Sequence, residues 1–319
     1  MNGCVVEKEK VSVIMSLYAE PLDWLQKSID SILMQDNRVF EFIIVNDNPE
    51  RLELDSFLSD YSANFSNIKV LKNIENLGLI KSLNKAVSMS SGDYIARMDA
   101  DDVSLPNRLS RQLEYLKVGD FDLIGANVEV IDEGEVKMYD SNKVLTDKYI
   151  DSILLLGTVP LVHPTYFGKV EVFKKCKYNE NAIYAEDMEF IAHARTLGYK
   201  IGNCPDILLK YRFSETSITK SNAYVSYNTA LSVKKAFSCY KKTGEYKFKN
   251  QIKNINKNKV TKFNNRQISM NIAKKEIKRG DYLKGVFFLF KAMMYDASFF
   301  KILYMNIMQN YYVHKDLIK

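Results

Sequence analysis

Cysteine is scarce in this 319-residue sequence, and its four cysteines lie singly at Cys4, Cys176, Cys204 and Cys239. No Cys-x-x-Cys pair occurs, which argues against a zinc site built from thiolates. Isolated cysteines also argue against a disulfide framework, because such frameworks belong to small secreted domains. The sequence therefore predicts a protein of a reduced, cytoplasmic compartment.

Long uncharged stretches are also missing. No window of about 20 residues is free of charge, so we expect no transmembrane helix. The N-terminal segment "MNGCVVEKEK" carries charges where a signal peptide needs an apolar core, so none is predicted. Hydrophobic residues still make up 46% of the chain, enough for a sizeable core, which argues against a disordered chain.

The net charge of +6 is unevenly distributed along the chain. Residues 231–279 contain 15 Lys/Arg against 2 Asp/Glu, and residues 280–319 contain 5 against 3, which leaves residues 1–230 net acidic. An acidic front and a basic back predict two units with different partners.

Short apolar runs alternate with helical patterns over the first hundred residues. The runs "VSVIMSLY", "FEFIIVND", "IKVLKN" and "DYIARMD" are typical of strands, and the segments between the runs are typical of helices. This alternation predicts an α/β fold with βαβ crossovers and a Rossmann-like, mostly parallel sheet with flanking helices. From about residue 222 onward the pattern predicts helices only.

Polar side chains follow each of the four predicted strands. Tyr18, Asp47, the segment 73–78 and the segment 99–102 all come where a strand ends. In open α/β sheets, ligands bind outside the carboxyl ends of the strands, so we expect these groups to share one rim.

The segment "ARMDADD" places Asp99 and Asp101 two residues apart at the end of the fourth strand. Carboxylate oxygens at this spacing suit Mg²⁺ or Mn²⁺, and a bound cation would offset their mutual repulsion. A solvated loop in which Asp102 caps a helix or turn is the alternative. The position in a βαβ series favours the ion.

The pattern "VSVIMSLY…FIIVND…NLGLIKSLNKAV…GDYIARMDADD" resembles the family 2 glycosyltransferases over about residues 11–219. The resemblance implies the A-type glycosyltransferase fold and transfer with inversion. It divides the chain into a nucleotide-sugar-binding and catalytic domain at 1–221 and a basic, aromatic-rich helical extension at 222–319. In this family the DxD motif holds a divalent metal against the diphosphate of a nucleotide sugar.

The resemblance also assigns roles on the donor side. It implies that Asp101 is the main metal ligand and that Asp99 contacts the ribose and the metal. Arg97 either balances these carboxylates or makes an outward ion pair.

Four further positions match residues that lie near the nucleotide in the family. The resemblance implies that Tyr18 lies near the base, that Asp47 reads the uracil edge, and that Asn76 and Gly78 lie near the nucleotide. "NDNP" replaces the common "DDGS" around Asp47, so the base is less well specified. From the residues alone, core packing, a turn and an ordinary loop remain alternatives.

A carboxylate pair, Glu186 and Asp187, lies at a predicted loop-to-helix junction. An acceptor hydroxyl must lose a proton during transfer, and a positioned carboxylate can take it. The resemblance gives the role of base to Asp187, with Glu186 as the fallback; an acidic pair at a helix N-terminus is the structural alternative. It also places His163 beside the acceptor pocket and Arg212 near the diphosphate.

The basic extension allows several partners. Its charge and aromatic residues suit an anionic membrane surface contacted through 231–312, on the cytoplasmic face of the inner membrane. Packing on the catalytic core or on another subunit of a homo-oligomer is equally open. No nucleic acid is expected, because no binding module accompanies the charge.

The resemblance therefore implies an inverting, metal-dependent hexosyltransferase of bacterial polysaccharide (O-antigen or capsule) biosynthesis. The donor would be a nucleoside-diphosphate sugar, most simply a UDP-sugar, and the acceptor a hydroxyl of a glycan, lipid-linked by analogy with the family. A sugar-nucleotide nucleotidyltransferase is less favoured, because "SLYAEPLDW" lacks a glycine-rich loop. A non-catalytic nucleotide-sugar or membrane-surface binding protein would be expected to have lost the DxD or Glu-Asp pair, and both are present.

Overall fold

The computed structural model describes residues 9–37, 39–141, 145–214, 222–250 and 256–295, together with residues 300, 304, 307, 308 and 311. Among these residues no helix combines the length and the apolar character that a membrane crossing requires.

The first third of the chain is a series of βαβ units, as the sequence predicts. Its parallel strands lie in the order β3-β2-β1-β4. The elements are β1 (Val11–Leu17), α1 (Leu22–Leu33), β2 (Glu41–Asn46), α2 (Leu52–Asn64), β3 (Ile68–Lys72), α3 (Leu79–Met89) and β4 (Tyr94–Asp99).

The sheet continues beyond β4 with mixed direction. The order β4-β8-β6-β9-β5 contains one parallel pair, β6 with β9, and β7 pairs with β6 at the side. The predicted α/β fold is confirmed, and its parallel part is concentrated in β1 to β4. The elements are β5 (Val103–Ser104), α4 (Arg108–Val118), β6 (Leu123–Ile131), β7 (Lys137–Asp140), α5 (Asp147–Leu156), a 3₁₀ turn (His163–Thr165), β8 (Phe167–Lys169), α6 (Val170–Cys176), α7 (Glu186–Thr196) and β9 (Ile201–Arg212).

Both faces of the sheet are covered by apolar side chains. Successive residues of a strand point to opposite faces, so Ile14 joins one core cluster while its neighbours Val13 and Met15 join the other. Nearly every residue of β1 and β2 is buried. This explains why the strands read as continuous apolar runs without alternation.

In the part of the chain that the structure describes, β9 is followed by the helices α8 (Ala223–Thr243), α9 (Lys257–Lys278) and α10 (Tyr282–Tyr295). Val233 and Phe237 of α8 are buried in the same core cluster as α5 and α7. The first helix of the predicted extension therefore packs on the catalytic part of the chain. The division at residue 221 stays a prediction.

Candidate functional site

The carboxyl ends of β1, β2 and β4 lie side by side. Ser16 of β1 is paired in register with Asp99 of β4, and Leu17 is paired with Asn46 of β2. The polar segments that follow these strands consequently meet at one rim, as the sequence predicts.

An acidic cluster lies at the end of β4. Asp99, Asp101 and Asp102 each offer a carboxylate oxygen, and these atoms lie within 4.8 Å of one another. Burial, followed by the charges of Asp99 and Glu20, raises the pKa of Asp101 to about 7. Burial, followed by the charges of Asp101 and Asp99, raises the pKa of Asp102 well above its usual value. The cluster thus holds more negative charge than the protein alone stabilises.

Arg97 lies beneath this cluster and faces inward. Its side chain is only 2% exposed, and its guanidinium contacts both carboxylate oxygens of Asp99, with Nη1 donating to Oδ2 at 2.6 Å. Burial alone would lower the pKa of Arg97, but the charge of Asp99 and its other neighbours raise it above its ordinary value. Arg97 therefore stays charged and fixes the carboxylate of Asp99.

Two further arginines hold the backbone around the cluster. The Nη2 atom of Arg108 donates to the carbonyls of Arg97 (2.6 Å) and Pro164 (2.8 Å). Arg212 donates from its backbone amide to Oδ1 of Asp102 (2.8 Å) and from Nε to the carbonyl of Asp101 (2.9 Å).

The Arg212 side chain is fully buried and positions the acidic loop. Its guanidinium lies 4.5 Å from the ring centre of Trp24, and its Nη2 lies 3.2 Å from Oε1 of Glu135. These contacts engage the guanidinium of Arg212, which the resemblance places near the diphosphate. A contact between Arg212 and a diphosphate stays a prediction.

The cluster fits a hard divalent cation. Three carboxylates supply oxygen donors, and Oδ2 of Asp102 is buried without a hydrogen-bond partner among the described residues. Mg²⁺ and Mn²⁺ prefer such oxygen ligands, and a cation would offset the repulsion that raises the pKa values of Asp101 and Asp102.

Asp47 organises the loop that follows β3. Its Oδ1 accepts hydrogen bonds from Leu77 N (2.8 Å) and Asn73 Nδ2 (2.7 Å), and its Oδ2 accepts from Gly78 N (2.8 Å). Gly78 has φ +81, a conformation that favours glycine, and Asn76 Oδ1 also accepts from its amide. The structure thus brings Asp47, Asn76 and Gly78 together; their contact with a base stays a prediction.

Tyr18 lies at the same rim and is 43% exposed, so the core-packing alternative does not apply. Its amide donates to Oε2 of Glu20 (2.7 Å), and its carbonyl accepts from Nδ2 of Asn48 (2.9 Å). The backbone of Tyr18 is held while its ring is open to a ligand.

The carboxylate pair begins helix α7. Glu186 and Asp187 are the first two residues of this helix, and both are half-buried. The hydroxyl of Tyr166 donates to the carbonyl of Asp187 at 3.2 Å. Burial, followed by the charge of Asp187, raises the pKa of Glu186 to about 7, and Asp99 contributes to this shift. The pair is therefore close enough to the acidic cluster to sense its charge.

His163 lies between Tyr178 and Glu186. Its Nε2 lies 3.0 Å from the hydroxyl of Tyr178, and its Nδ1 lies 3.9 Å from Oε1 of Glu186. Burial, followed by the charge of Arg97, lowers the pKa of His163 well below its usual value. A neutral His163 can position Tyr178 through this hydrogen bond.

Three residues near this site, Glu20, Arg108 and Tyr178, are not predicted from the sequence. Glu20 adds a carboxylate near the acidic cluster, and burial is the main cause that raises its pKa. Its sequence signal is its position in the loop after the first strand. Arg108 and Tyr178 reach the site from a helix and a loop, and no local pattern points to them.

Comparison with known proteins agrees with this geometry. The model of the family "Glycosyl transferase family 2" matches residues 12–177. An uncharacterized glycosyltransferase of Methanocaldococcus jannaschii, MJ1057, is 37% identical over 65% of this chain and 72% of its own. The O-antigen biosynthesis glycosyltransferase WbnJ of Escherichia coli is 30% identical over 67% of this chain and 83% of its own.

A solved structure supports the fold. The crystal structure of S. aureus TarS 1–349 in complex with UDP-GlcNAc superposes with a TM-score of 0.56, at 18% identity, over 70% of this chain and 66% of that chain. The family match and the fold agree with the acidic rim and the Glu-Asp pair. The chain is a glycosyltransferase that belongs to glycosyltransferase family 2.

Proposed function

We propose that this glycosyltransferase moves a sugar, with inversion, from a nucleoside-diphosphate sugar to a hydroxyl of a glycan acceptor. The observation that carries the proposal is the acidic cluster of Asp99, Asp101 and Asp102 at the rim where Tyr18 and Asp47 also lie. A diphosphate and a divalent cation together match this concentration of carboxylates in charge and chemistry.

The donor is a UDP-sugar in this proposal. The TarS structure that shares the fold is described in complex with UDP-GlcNAc. The exposed side chain of Tyr18 offers a stacking surface for a base. The Asp47 carboxylate is 2% exposed and accepts hydrogen bonds from Leu77 and Gly78, so it supports this surface by holding the neighbouring loop.

Asp101 and Asp99 would hold Mn²⁺ or Mg²⁺, which as a Lewis acid stabilises the negative charge of a leaving diphosphate. Arg97 fixes the Asp99 carboxylate, and Arg212 fixes the backbone of Asp101. These residues hold their positions before the donor arrives, so little reorganisation accompanies binding.

Asp187 accepts the proton of the acceptor hydroxyl. The hydroxyl oxygen bonds to the anomeric carbon, the bond from that carbon to the diphosphate breaks, and the proton moves to the carboxylate. Neighbouring Glu186 has a pKa of about 7, so part of its population is neutral near that pH and does not repel the ionised Asp187.

The acceptor we propose is a lipid-linked glycan of bacterial polysaccharide synthesis. Support comes from the names of relatives: the O-antigen enzyme WbnJ, and the amylovoran biosynthesis enzyme AmsE of Erwinia amylovora, which is 27% identical over 73% of this chain.

A thermal-shift screen of nucleoside diphosphates, each with and without Mn²⁺, tests the donor side. We expect UDP with Mn²⁺ to raise the melting temperature most. If none of the nucleotides stabilises the chain in a metal-dependent way, the proposed donor site is wrong.

Replacement of Asp187 by Asn tests the base. We expect transfer to fall by roughly a factor of 1,000 while the UDP-dependent thermal shift is retained, because general-base catalysis contributes about 10² to 10⁴. Glu186→Gln is the matched variant and should lose less activity. Equal activity of Asp187→Asn and the wild type would refute the assignment.

A further inference from the structure

The last two described helices form a hairpin that is anchored on α8. The ring of Phe263 on α9 lies 5.5 Å from the rings of Tyr224 and Tyr227 on α8. A Cβ added to Gly285 of α10 would lie 2.4 Å from Cγ1 of Ile277 on α9, so the two helices pack closely at this point. The hairpin of α9 and α10 has a defined inner side.

The outer side of α10 carries an exposed apolar surface, which we call the apolar stripe. Its side chains form two adjacent rows along the helix, and successive residues within a row are four positions apart. Residues at this spacing share one face of a helix. All of them are between 58% and 88% exposed. The stripe consists of Tyr282, Val286, Phe290 and Met294 in one row and Leu283 and Phe287 in the other.

The stripe does not serve the packing of the hairpin itself. Gly285 and Ala292, seven residues apart on α10, are the buried positions of this helix, and Ala292 packs against Met270 of α9. Six large apolar side chains on one helix exceed the scattered apolar residues that an ordinary protein surface carries. Such a surface is expected to have a partner.

Described residues beyond α10 extend the same character. The side chains of Phe300, Tyr304, Ile307 and Tyr311 are each at least half exposed.

Positive charge accompanies the stripe. Lys291 continues the row of Leu283 and Phe287 at the same four-residue spacing, and Lys284 lies next to Leu283; both lysines are exposed. Residues 256–295 contain ten Lys/Arg and two Asp/Glu. Lysines at the border of an apolar helix face can lay their alkyl chains on apolar material while the ammonium group reaches anionic groups.

We infer that the apolar stripe docks on the surface of an anionic lipid bilayer, with α10 lying in the plane of the interface. Aromatic and aliphatic side chains on one face, bordered by lysines, are the pattern of interfacial helices. A second copy of the chain would bring a second excess of positive charge to the contact, whereas anionic lipid headgroups bring the opposite charge. Charge complementarity therefore favours lipid over self-association.

The docking surface lies apart in sequence from the predicted catalytic residues, all of which precede residue 213. Membrane binding and nucleotide binding can consequently be measured independently on the same chain. Failure of one measurement would not decide the other.

Co-sedimentation of the full chain with vesicles tests the inference. One vesicle contains phosphatidylethanolamine with about one quarter phosphatidylglycerol, and the other contains phosphatidylcholine alone. We expect preferential binding to the anionic vesicle, and weaker binding when salt is raised, because ionic screening reduces the lysine contribution.

Two double variants separate the stripe from general hydrophobicity. Phe287→Ser with Phe290→Ser should lower the partition coefficient by about tenfold or more, because both rings lose burial in the interface. Leu52→Ser with Val118→Ser removes two apolar side chains elsewhere that are at least as exposed as Phe287 and Phe290, and it should leave binding within about twofold of the wild type. The melting temperature without ligand and the circular dichroism spectrum serve as the folding controls for both.

Three outcomes would overturn the inference. The stripe variant could sediment like the wild type, or the wild type could bind neutral vesicles as well as anionic ones. The wild type could also ignore both vesicles and elute as a dimer that the stripe variant dissociates, which would assign the surface to a second copy.

Discussion

Buried carboxylates at the two ends of the parallel sheet have pKa values that are shifted in opposite directions. At the amino end of β2, Glu41 is 2% exposed and accepts hydrogen bonds from the Ser12 hydroxyl, from the amide and hydroxyl of Ser91, and from Lys69. Although burial opposes ionisation, these donors lower the pKa of Glu41 to about 2. This carboxylate is fully satisfied by the protein.

At the carboxyl end, Asp101 and Asp102 have raised pKa values and too few donors. The same sheet thus carries Glu41, a buried carboxylate that stabilises the fold, and the pair Asp101 and Asp102, whose charges the fold alone does not stabilise. A buried charge without a partner is costly, so its presence indicates a ligand that supplies the missing charge. The difference separates structural acids from functional ones.

The largest expected effect comes from Asp101→Asn. Transfer should fall roughly a thousandfold, because stabilisation of a leaving diphosphate by a metal is worth several kcal/mol. The free energy of unfolding at pH 8 should stay equal or rise, since a repelled charge is removed. Steady-state assays measure the transfer rate, and urea unfolding measures the free energy of unfolding. A large loss of stability would mean that Asp101, like Glu41, stabilises the fold.

Glu41→Gln should give the reverse result. We expect a loss of about 3 kcal/mol in the free energy of unfolding at pH 7, because several hydrogen bonds to a buried charge are weakened. Activity per folded molecule should be unchanged. Since the folded pKa is lowered, this stabilisation is present above about pH 4.5 and is lost as pH falls toward 2. Urea unfolding of the wild type and Glu41→Gln at pH 7, and again at a pH approaching 2, measures how much of this stabilisation is lost.

A third buried carboxylate, Glu189 of α7, sharpens the comparison. Burial raises its pKa to about 7, despite hydrogen bonds from Asn179 and Tyr246. Because the folded state binds this proton more tightly than the unfolded state, Glu189 should lower the stability of the fold as pH rises from 4.5 to 7. Glu189→Gln should therefore gain about 2 kcal/mol over the wild type at pH 8.

Below pH 4.5, the wild type and Glu189→Gln should unfold at nearly the same urea concentration. Equal stability of the two proteins at every pH would mean that Glu189 is satisfied like Glu41.

The sequence predicts the parallel half of the sheet well, because its strands are short, largely apolar segments that alternate with helical patterns, and β1 and β2 are buried almost throughout. The carboxyl rim follows from this topology, so the positions of Asp99, Asp101 and Asp47 at the rim are predictable from the strand pattern. Strands β5 and β7 are not predicted from the sequence. Strand β5 has only two residues, and β7, "KMYD", is exposed along its whole length.

Long-range contacts are the part that sequence patterns do not reveal. The amide of Arg212 reaches Asp102 across 110 positions of the chain, and Arg108 reaches Pro164 across 56. No local periodicity records such pairs. The resemblance predicts that Arg212 lies near the diphosphate, while its buried position under the Asp101 backbone is visible only in the folded chain.

Calorimetric titration of Mn²⁺ into the protein with UDP, compared between the wild type and Asp101→Asn, tests the central claim most directly. We predict one Mn²⁺ bound by the wild type, with protons released at pH 6.5 because Asp101 has a pKa of about 7 and must ionise to bind. Binding should weaken as pH falls further, and the variant should show neither the heat nor the protons. Equal binding by both proteins, or none by the wild type, would contradict the account.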